Sequence, residues 1–323
     1  GSILTSSKVG ASQGYGMSWV VIAAVGFMMT FTMMASRLGV VAKESPGKML
    51  TDSAGRWLAV LIGLSVFFIA SAFQFGNNLG VHTAFNAYIK FEYIVIIFIN
   101  AAAIAFLFLF KNLYKALEKL MMGFVGLMLL AFAANLLFAK PNLIEWSKGF
   151  VPGGQTKVDI TVLGLVGTTF VIAAAYFQIY LVRQKGIERK DLPASLVDSR
   201  MGACLMALIT LMIMGTAASV LRGKELADAG EVAKQLEPLF GSWGKGLFCL
   251  GLFSAAYSSF LINSMIGGFV LSDGLGLGSD PDEKWTRYMT TVVLLTGMGV
   301  ALYVINTGTK PVAAIVMAQA VTV

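Results

Sequence analysis

GLVGTTFVIAAAYFQIYLVRQKG occupies residues 164–186. It is about as long as the roughly 20 residues that cross a hydrocarbon core of about 30 Å, and it carries no charge until Arg183. Small and polar residues crowd its middle, from Thr168 and Thr169 through Ala173-Ala174-Ala175 to Gln178, and a basic cluster closes it. A membrane helix interrupted by polarity at mid-depth is a candidate wall of an ion path.

The rest of the chain repeats that length without the polar interruption. Of 323 residues, 57% are hydrophobic and 13% charged, well outside the balance of soluble domains. Apolar runs are predicted at about 16–38, 57–77, 93–110, 117–139, 164–186, 201–221, 247–271 and 288–305. A half-helix is predicted at 1–14, and a partial last one begins near Pro311. With no strict period-2 alternation, these are helices and not barrel strands. Both termini read as cuts through a longer protein. Ser45-Pro46-Gly47 and Pro152-Gly153-Gly154 mark loops, and 222–241 reads as a short amphipathic surface helix.

The net charge of +7 sits between apolar runs, where it orients helices, so no nucleic-acid partner is expected. One set of loops holds Arg37 to Arg56, Lys111 to Lys119, Arg183 to Arg200, Lys284 and Arg287. It is richer in Lys and Arg than the other set and its loops are mostly shorter, which puts the loops after spans two, four, six and eight in the cytoplasm. Cys204 and Cys249 both lie in apolar runs and imply no disulfide framework. His82, the one histidine, falls past the expected end of span three and reads as an interfacial or loop residue. It has no clustered partners for a metal site and no triad to join, so no enzyme is expected. The methionines, among them Met28, Met29, Met33, Met34, Met121 and Met122, read as flexible packing.

Several segments together resemble the Nramp divalent-metal transporters. GSILTSSKVGASQGYG at residues 1–16 is similar to the segment after D-P in that family's D-P-G-N motif. ASRLGVVAKES (35–45) resembles the end of its second helix, and the run from Leu117 to Pro152, with LLFAKPN, its fifth helix and loop. FSAAYSSFLINSMIGGFVLSDGL (253–275) and AIVMAQAVTV (314–323) resemble its eighth and tenth. The resemblance implies an all-α polytopic membrane protein of the LeuT-like type, a five-plus-five inverted repeat, with a first repeat over about 1–140 and a second over about 158–323. The substrate then sits between helices one and six, in a single transmembrane domain.

The departures concern the site. Where the family reads M-P-H-N-L-Y in helix six, this chain has Val171, Ile172, Ala173 and Ala174 in the first four places, so the thioether is gone. Ser2 stands at the Asn of D-P-G-N, Gln74 and Asn77 at the acidic pair tied to proton movement, and Gln178 at the second His. Gln319 matches the metal-contacting Gln. The implied metal donors are oxygens: Ser2, the carbonyls of Phe170 and Val171, and Gln319. Thr5, Gln74, Asn77, Ala173, Ala174 and Gln178 are candidates to line the pathway. For the alanines, close helix packing competes with that role. Likewise, buried amides such as Gln74, Asn77, Asn78 and Gln178 could serve only as interhelical hydrogen bonds.

An all-oxygen set suits a hard cation, Mg²⁺ with Mn²⁺ as a possible companion, better than a soft one. None of the expected spans offers a buried Asp or Glu, which argues against proton coupling. This pattern resembles the Nramp-related magnesium transporters. The alternatives are a proton-coupled Mn²⁺/Fe²⁺ transporter and a non-transporting sensor or scaffold. Partners are the transported ion and the lipid bilayer, with no further cofactor. A monomer in a bacterial inner membrane is expected. No Pro or Gly interrupts 168–185, so an unwound turn there is implied by the resemblance alone.

Overall fold

The polar opening of the chain folds as helix α1 (Ser2–Gln13), followed by α2 (Ser18–Val41), α3 (Pro46–Ala54), α4 (Arg56–Asn86) and α5 (Ile94–Leu109). After a helical segment over 132–139 come α6 (Leu143–Lys148), α7 (Ile160–Thr169), α8 (Ile172–Gln184) and α9 (Leu192–Val220). The chain ends through α10 (Ala229–Ala233), α11 (Gly244–Leu275), α12 (Lys284–Asn306) and α13 (Pro311–Ala320). The computed structural model describes residues 2–86, 93–109, 132–153, 158–234 and 244–322, with positions 123, 126, 129, 130 and 241. Among these there is no strand. Gly1, Lys90, the basic joint 111–119, Met121, Met122, Lys157 and the end of the expected surface helix (235–240) lie outside the described residues.

Among the described residues, six stretches are long and apolar enough to cross a membrane: α2, α4, Ile160–Gln184 taken across its break, α9, Phe248–Leu275 and α12. Phe27, Trp57, Phe98 and Tyr303 stand exposed on their outer faces, as side chains facing lipid do.

Three boundaries differ from the sequence reading. Pro46-Gly47 starts a helix instead of ending in a turn: Ser45 caps it by accepting the Lys48 N–H (3.3 Å), and Pro46 sits in the first turn, where its missing N–H costs nothing. The third span runs on to Asn86, and His82 is buried inside it beside Asn86 (3.3 Å), not in a loop. Asn77 and Asn78 look like a helix end in sequence, but both are buried. Span eight extends to Leu275 and so carries a buried carboxylate, Asp273. The expectation that no span offers a buried acidic residue is therefore corrected.

One apolar core, with Leu4 of α1, Leu79 of α4, Ile213 of α9, Leu252 of α11 and Ile315 of α13, joins the spans, and two further cores mark out two groups among them. In the first, Val9 of α1, Val20, Val21 and Val25 of α2, Val162 and Leu165 of α7 and Ala203, Ala207 and Met214 of α9 share one apolar core. Backbones touch there: a Cβ on Gly10 would fall 2.3 Å from Met214 O, and one on Gly39 2.9 Å from Ile179 O, which fixes α8 to α2. In the second, Val81 of α4, Ile99 and Ala103 of α5, Ala256, Phe260 and Leu261 of α11 and Leu294 of α12 share another core. A Cβ on Gly274 would lie 2.4 Å from Ala59 O, and one on Gly268 2.4 Å from Thr290 N. α13 lies between the groups.

Asp159 starts α7, accepting the N–H groups of Thr161 (2.9 Å) and Val162 (3.1 Å) and the Thr161 hydroxyl (2.5 Å), while Gln13 of α1 reaches it at 3.5 Å. Partial burial pushes its carboxyl up, but these donors outweigh that and hold it below the usual carboxylate range. A depressed acid stabilises the fold above its unfolded pKa of about 3.9, and the contribution is lost as pH falls through the folded value. Thermal melts in detergent should therefore lose more stability below about pH 4 for the native protein than for Asp159→Asn, which keeps a cap without the charge.

Candidate metal site

The span at 160–184 is broken. Phe170 (φ −99°, ψ 82°) and Val171 (φ −88°, ψ 88°) leave the helical region between α7 and α8. The Phe170 N–H still closes on Val166 O (2.7 Å), but the Ala174 N–H, which in an unbroken helix would close on Phe170 O, turns to Val171 O (3.0 Å). A backbone carbonyl is thereby released from the helix in mid-span, with neither Gly nor Pro to cause it. At the break the Phe170 ring packs on Phe27 (6.0 Å) and Phe31 (5.3 Å) of α2.

α1, α7 and α13 meet at Gly164, six residues before Phe170. A Cβ on Gly164 would lie 3.0 Å from Val316 O and 3.3 Å from Thr5 Cγ2, so the three helices pack tightly here. There the Thr5 hydroxyl donates to Gln319 Oε1, with the two residues 0% and 2% exposed. Two candidates from opposite ends of the sequence thus meet directly. Thr169, the last residue of α7, adds a buried hydroxyl with no hydrogen-bond partner. Its one signal in the sequence is its place just before the break, which is legible only when the break is known.

The other candidates are dispersed. Ser2 is exposed in the first turn of α1. Ala173 is buried with Val66, Phe177, Ile266 and Phe269, and Ala174 lies at the edge of the same apolar cluster. Gln178 of α8 donates to Ser36 Oγ of α2 (3.2 Å). Gln74 and Asn77 belong to a polar seam on α4, in which Asn78 bonds Gln74 O (2.9 Å) and Asn100 of α5 bonds Asn78 Oδ1 (2.6 Å). Neither amide atom of Gln74, 0% exposed, has a partner, nor does Asn77 Nδ2. His82 opens instead onto a cavity of about 350 Å³ shared with Asp228, Lys245 and Pro311.

The junction can do one kind of chemistry. The neutral oxygens of Thr5 and Gln319 meet here, and the span they pack against frees the Phe170 carbonyl farther along; oxygen donors of this kind suit a hard cation that keeps part of its water.

The family described as natural resistance-associated macrophage protein-like (Nramp) matches residues 1–323. The divalent metal cation transporter MntH of Pectobacterium carotovorum subsp. carotovorum (strain PC1) is 24% identical over 311 residues, which is 92% of this chain and 75% of that protein. Crystal structures of two mutants of the Eremococcus coleocola manganese transporter superpose with TM-score 0.77, at 17% and 16% identity, over 99% of this chain and 71% of theirs. The shared architecture is the LeuT-like all-helical fold.

Proposed function

Because the chain belongs to the Nramp family, we propose that it moves a divalent metal cation across a membrane by alternating access about the break at Phe170 and Val171. The observation that carries this is the released Phe170 carbonyl in the span that meets Thr5 and Gln319. The relative from Pectobacterium, named as a divalent metal cation transporter, supports the cation class.

Within that class the reading favours hard cations, Mg²⁺ first and Mn²⁺ second. Thr5, Thr169, Gln319 and the released carbonyl of Phe170 offer oxygen only, and Mg²⁺ is bound through few protein oxygens with several of its waters kept. A thioether, which would favour softer metals, has no counterpart where Val171 and Ile172 stand. Proton coupling is left out of the mechanism because Gln74 and Asn77, buried at mid-span, do not titrate. The site is proposed to lie in a bacterial plasma membrane, with the loops after α2, α8 and α11 facing the cytoplasm, and to work as a monomer.

The second reading is a proton-coupled Mn²⁺/Fe²⁺ transporter; of its two parts, the names of the solved neighbours favour manganese. Proteoliposomes carrying a lumenal pH dye separate the two. Uptake of Mg²⁺ and Mn²⁺ without acidification is expected; Mn²⁺ uptake with acidification and no response to Mg²⁺ would establish the second reading instead. A sensor that had lost transport would leave both signals flat and bind neither ion at millimolar concentration in calorimetry.

A further inference from the structure

Asp273 is 6% exposed and accepts three hydrogen bonds from two places. The Gly47 N–H (2.7 Å) and the Ser45 hydroxyl (2.6 Å) come from the start of α3, and the Tyr180 hydroxyl (2.7 Å) comes from α8. The first two donors belong to the same packed group as Asp273. A Cβ on Gly47 would fall 2.6 Å from Asp273 Cγ and 2.9 Å from its backbone carbon, so α3 and α11 move together. Tyr180, 1% exposed, belongs to the other group, because α8 is fixed to α2 through Gly39.

The boundary between the groups at this end is made differently from the contacts within them. No glycine brings backbones together between α8 and α11 here, among the described residues. Rings meet instead: Phe177 of α8 lies against Phe269 of α11 at 5.5 Å and is stacked on Tyr180 of its own helix at 5.6 Å, with Val66, Ile266 and Val270 around them. A second bond, Gln184 Nε2 to Ser279 O (3.4 Å), crosses the same boundary nearer solvent. Rings and a hydroxyl can separate without stranding a backbone group. When Tyr180 leaves, the Asp273 carboxylate still keeps two donors and the positive end of α3. The acceptor is therefore held ready whether or not the tie is made, which is what a repeatedly broken contact requires.

Tyr180 also lies nine residues past Val171, about 14 Å along α8 at 1.5 Å per residue. Any swing of α8 about the break moves its hydroxyl farther than it moves the residues beside the site.

We propose that the Tyr180–Asp273 hydrogen bond is the tie that holds this mouth of the cation path closed, and that it sets how often α8 swings away from α3 and α11. The proposal rests on the transport reading above and adds to it the residues that govern access. Tyr180 is a positioning residue; it touches no proposed metal donor.

The test reads distance without metal. Spin labels at Ala54→Cys, at the end of α3, and Lys185→Cys, at the end of α8, are introduced into the full-length protein carrying Cys204→Ser and Cys249→Ala, reconstituted in nanodiscs. Double electron–electron resonance should then show one dominant short distance. Tyr180→Phe, which removes a single oxygen, should raise the ratio of long to short distances about tenfold, the scale of one hydrogen bond to a charged acceptor. Asp273→Asn should move it the same way, and it decides the matter by itself if the first variant does not fold. In uptake assays Tyr180→Phe should change the maximal rate while leaving the KM for Mn²⁺ within twofold. A distance distribution unchanged in the folded variants overturns the proposal. Since the labels are read in metal-free samples, failure of the transport reading would appear only in the uptake and binding assays, and failure of the tie only here.

Discussion

Gln319→Ala should lower Mg²⁺ and Mn²⁺ uptake into proteoliposomes by about 10- to 100-fold, the range seen when a metal site loses a group that holds or orients its ligands. Gln319 is buried on α13, and its Oε1 takes the Thr5 hydroxyl from α1. Removing the amide withdraws an oxygen donor and also strands a buried hydroxyl on α1. Thr5→Val, which keeps the shape and removes the hydroxyl, frees Oε1 but leaves it unanchored, so a smaller loss is expected. Circular dichroism and gel filtration should match the native protein in both cases. Unchanged uptake in Gln319→Ala would remove α13 from the site.

The second large effect concerns stability. Gly10→Ala should destabilise the protein by about 1–3 kcal/mol, the usual cost of overpacking a tight interior, and should lower the yield of folded protein in detergent. The added carbon would sit 2.3 Å from Met214 O and 3.1 Å from Ala218 N, backbone atoms of α9 that cannot move aside as a side-chain tip can. Gly26→Ala is the matched control. It too lies inside a helix, but nothing comes within 4 Å of its position, and alanine is the better helix former by up to about 1 kcal/mol. Melting temperatures should therefore move in opposite directions for the same chemical change.

Much of the architecture is legible in apolar length, because a bilayer dictates how long a helix must be. The boundaries of α2, α5 and α12 lie within a few residues of expectation for that reason. Errors arise where polarity is taken for an edge. Asn77 and Asn78 look like a boundary, yet Asn78 is used inside the protein by Gln74 and Asn100. Asp273 looks like a loop residue because its donors, Ser45, Gly47 and Tyr180, lie far away in sequence. Pro46-Gly47 suits a turn and a helix start equally well, and only the capping by Ser45 decides between them. In the site, resemblance brings Thr5 and Gln319 into one set of candidates, but their contact spans 314 positions and no local pattern announces it. The interruption of span six is equally hidden, since no Gly or Pro marks it and the rings that meet Phe170, Phe27 and Phe31, stand on another helix.

A bend held from outside also constrains how the molecule matures. A segment without Gly or Pro between 168 and 185 has every reason to enter the bilayer as a straight rod, because lipid offers nothing to a backbone carbonyl that leaves its helix. A bend of that kind needs partners on other helices, and Gln319 can meet Thr5 only once α13, synthesised last of the helices described, has docked. The site is therefore completed after insertion. A ribosome stalled before α13 would leave behind a chain that is threaded, helical and inert.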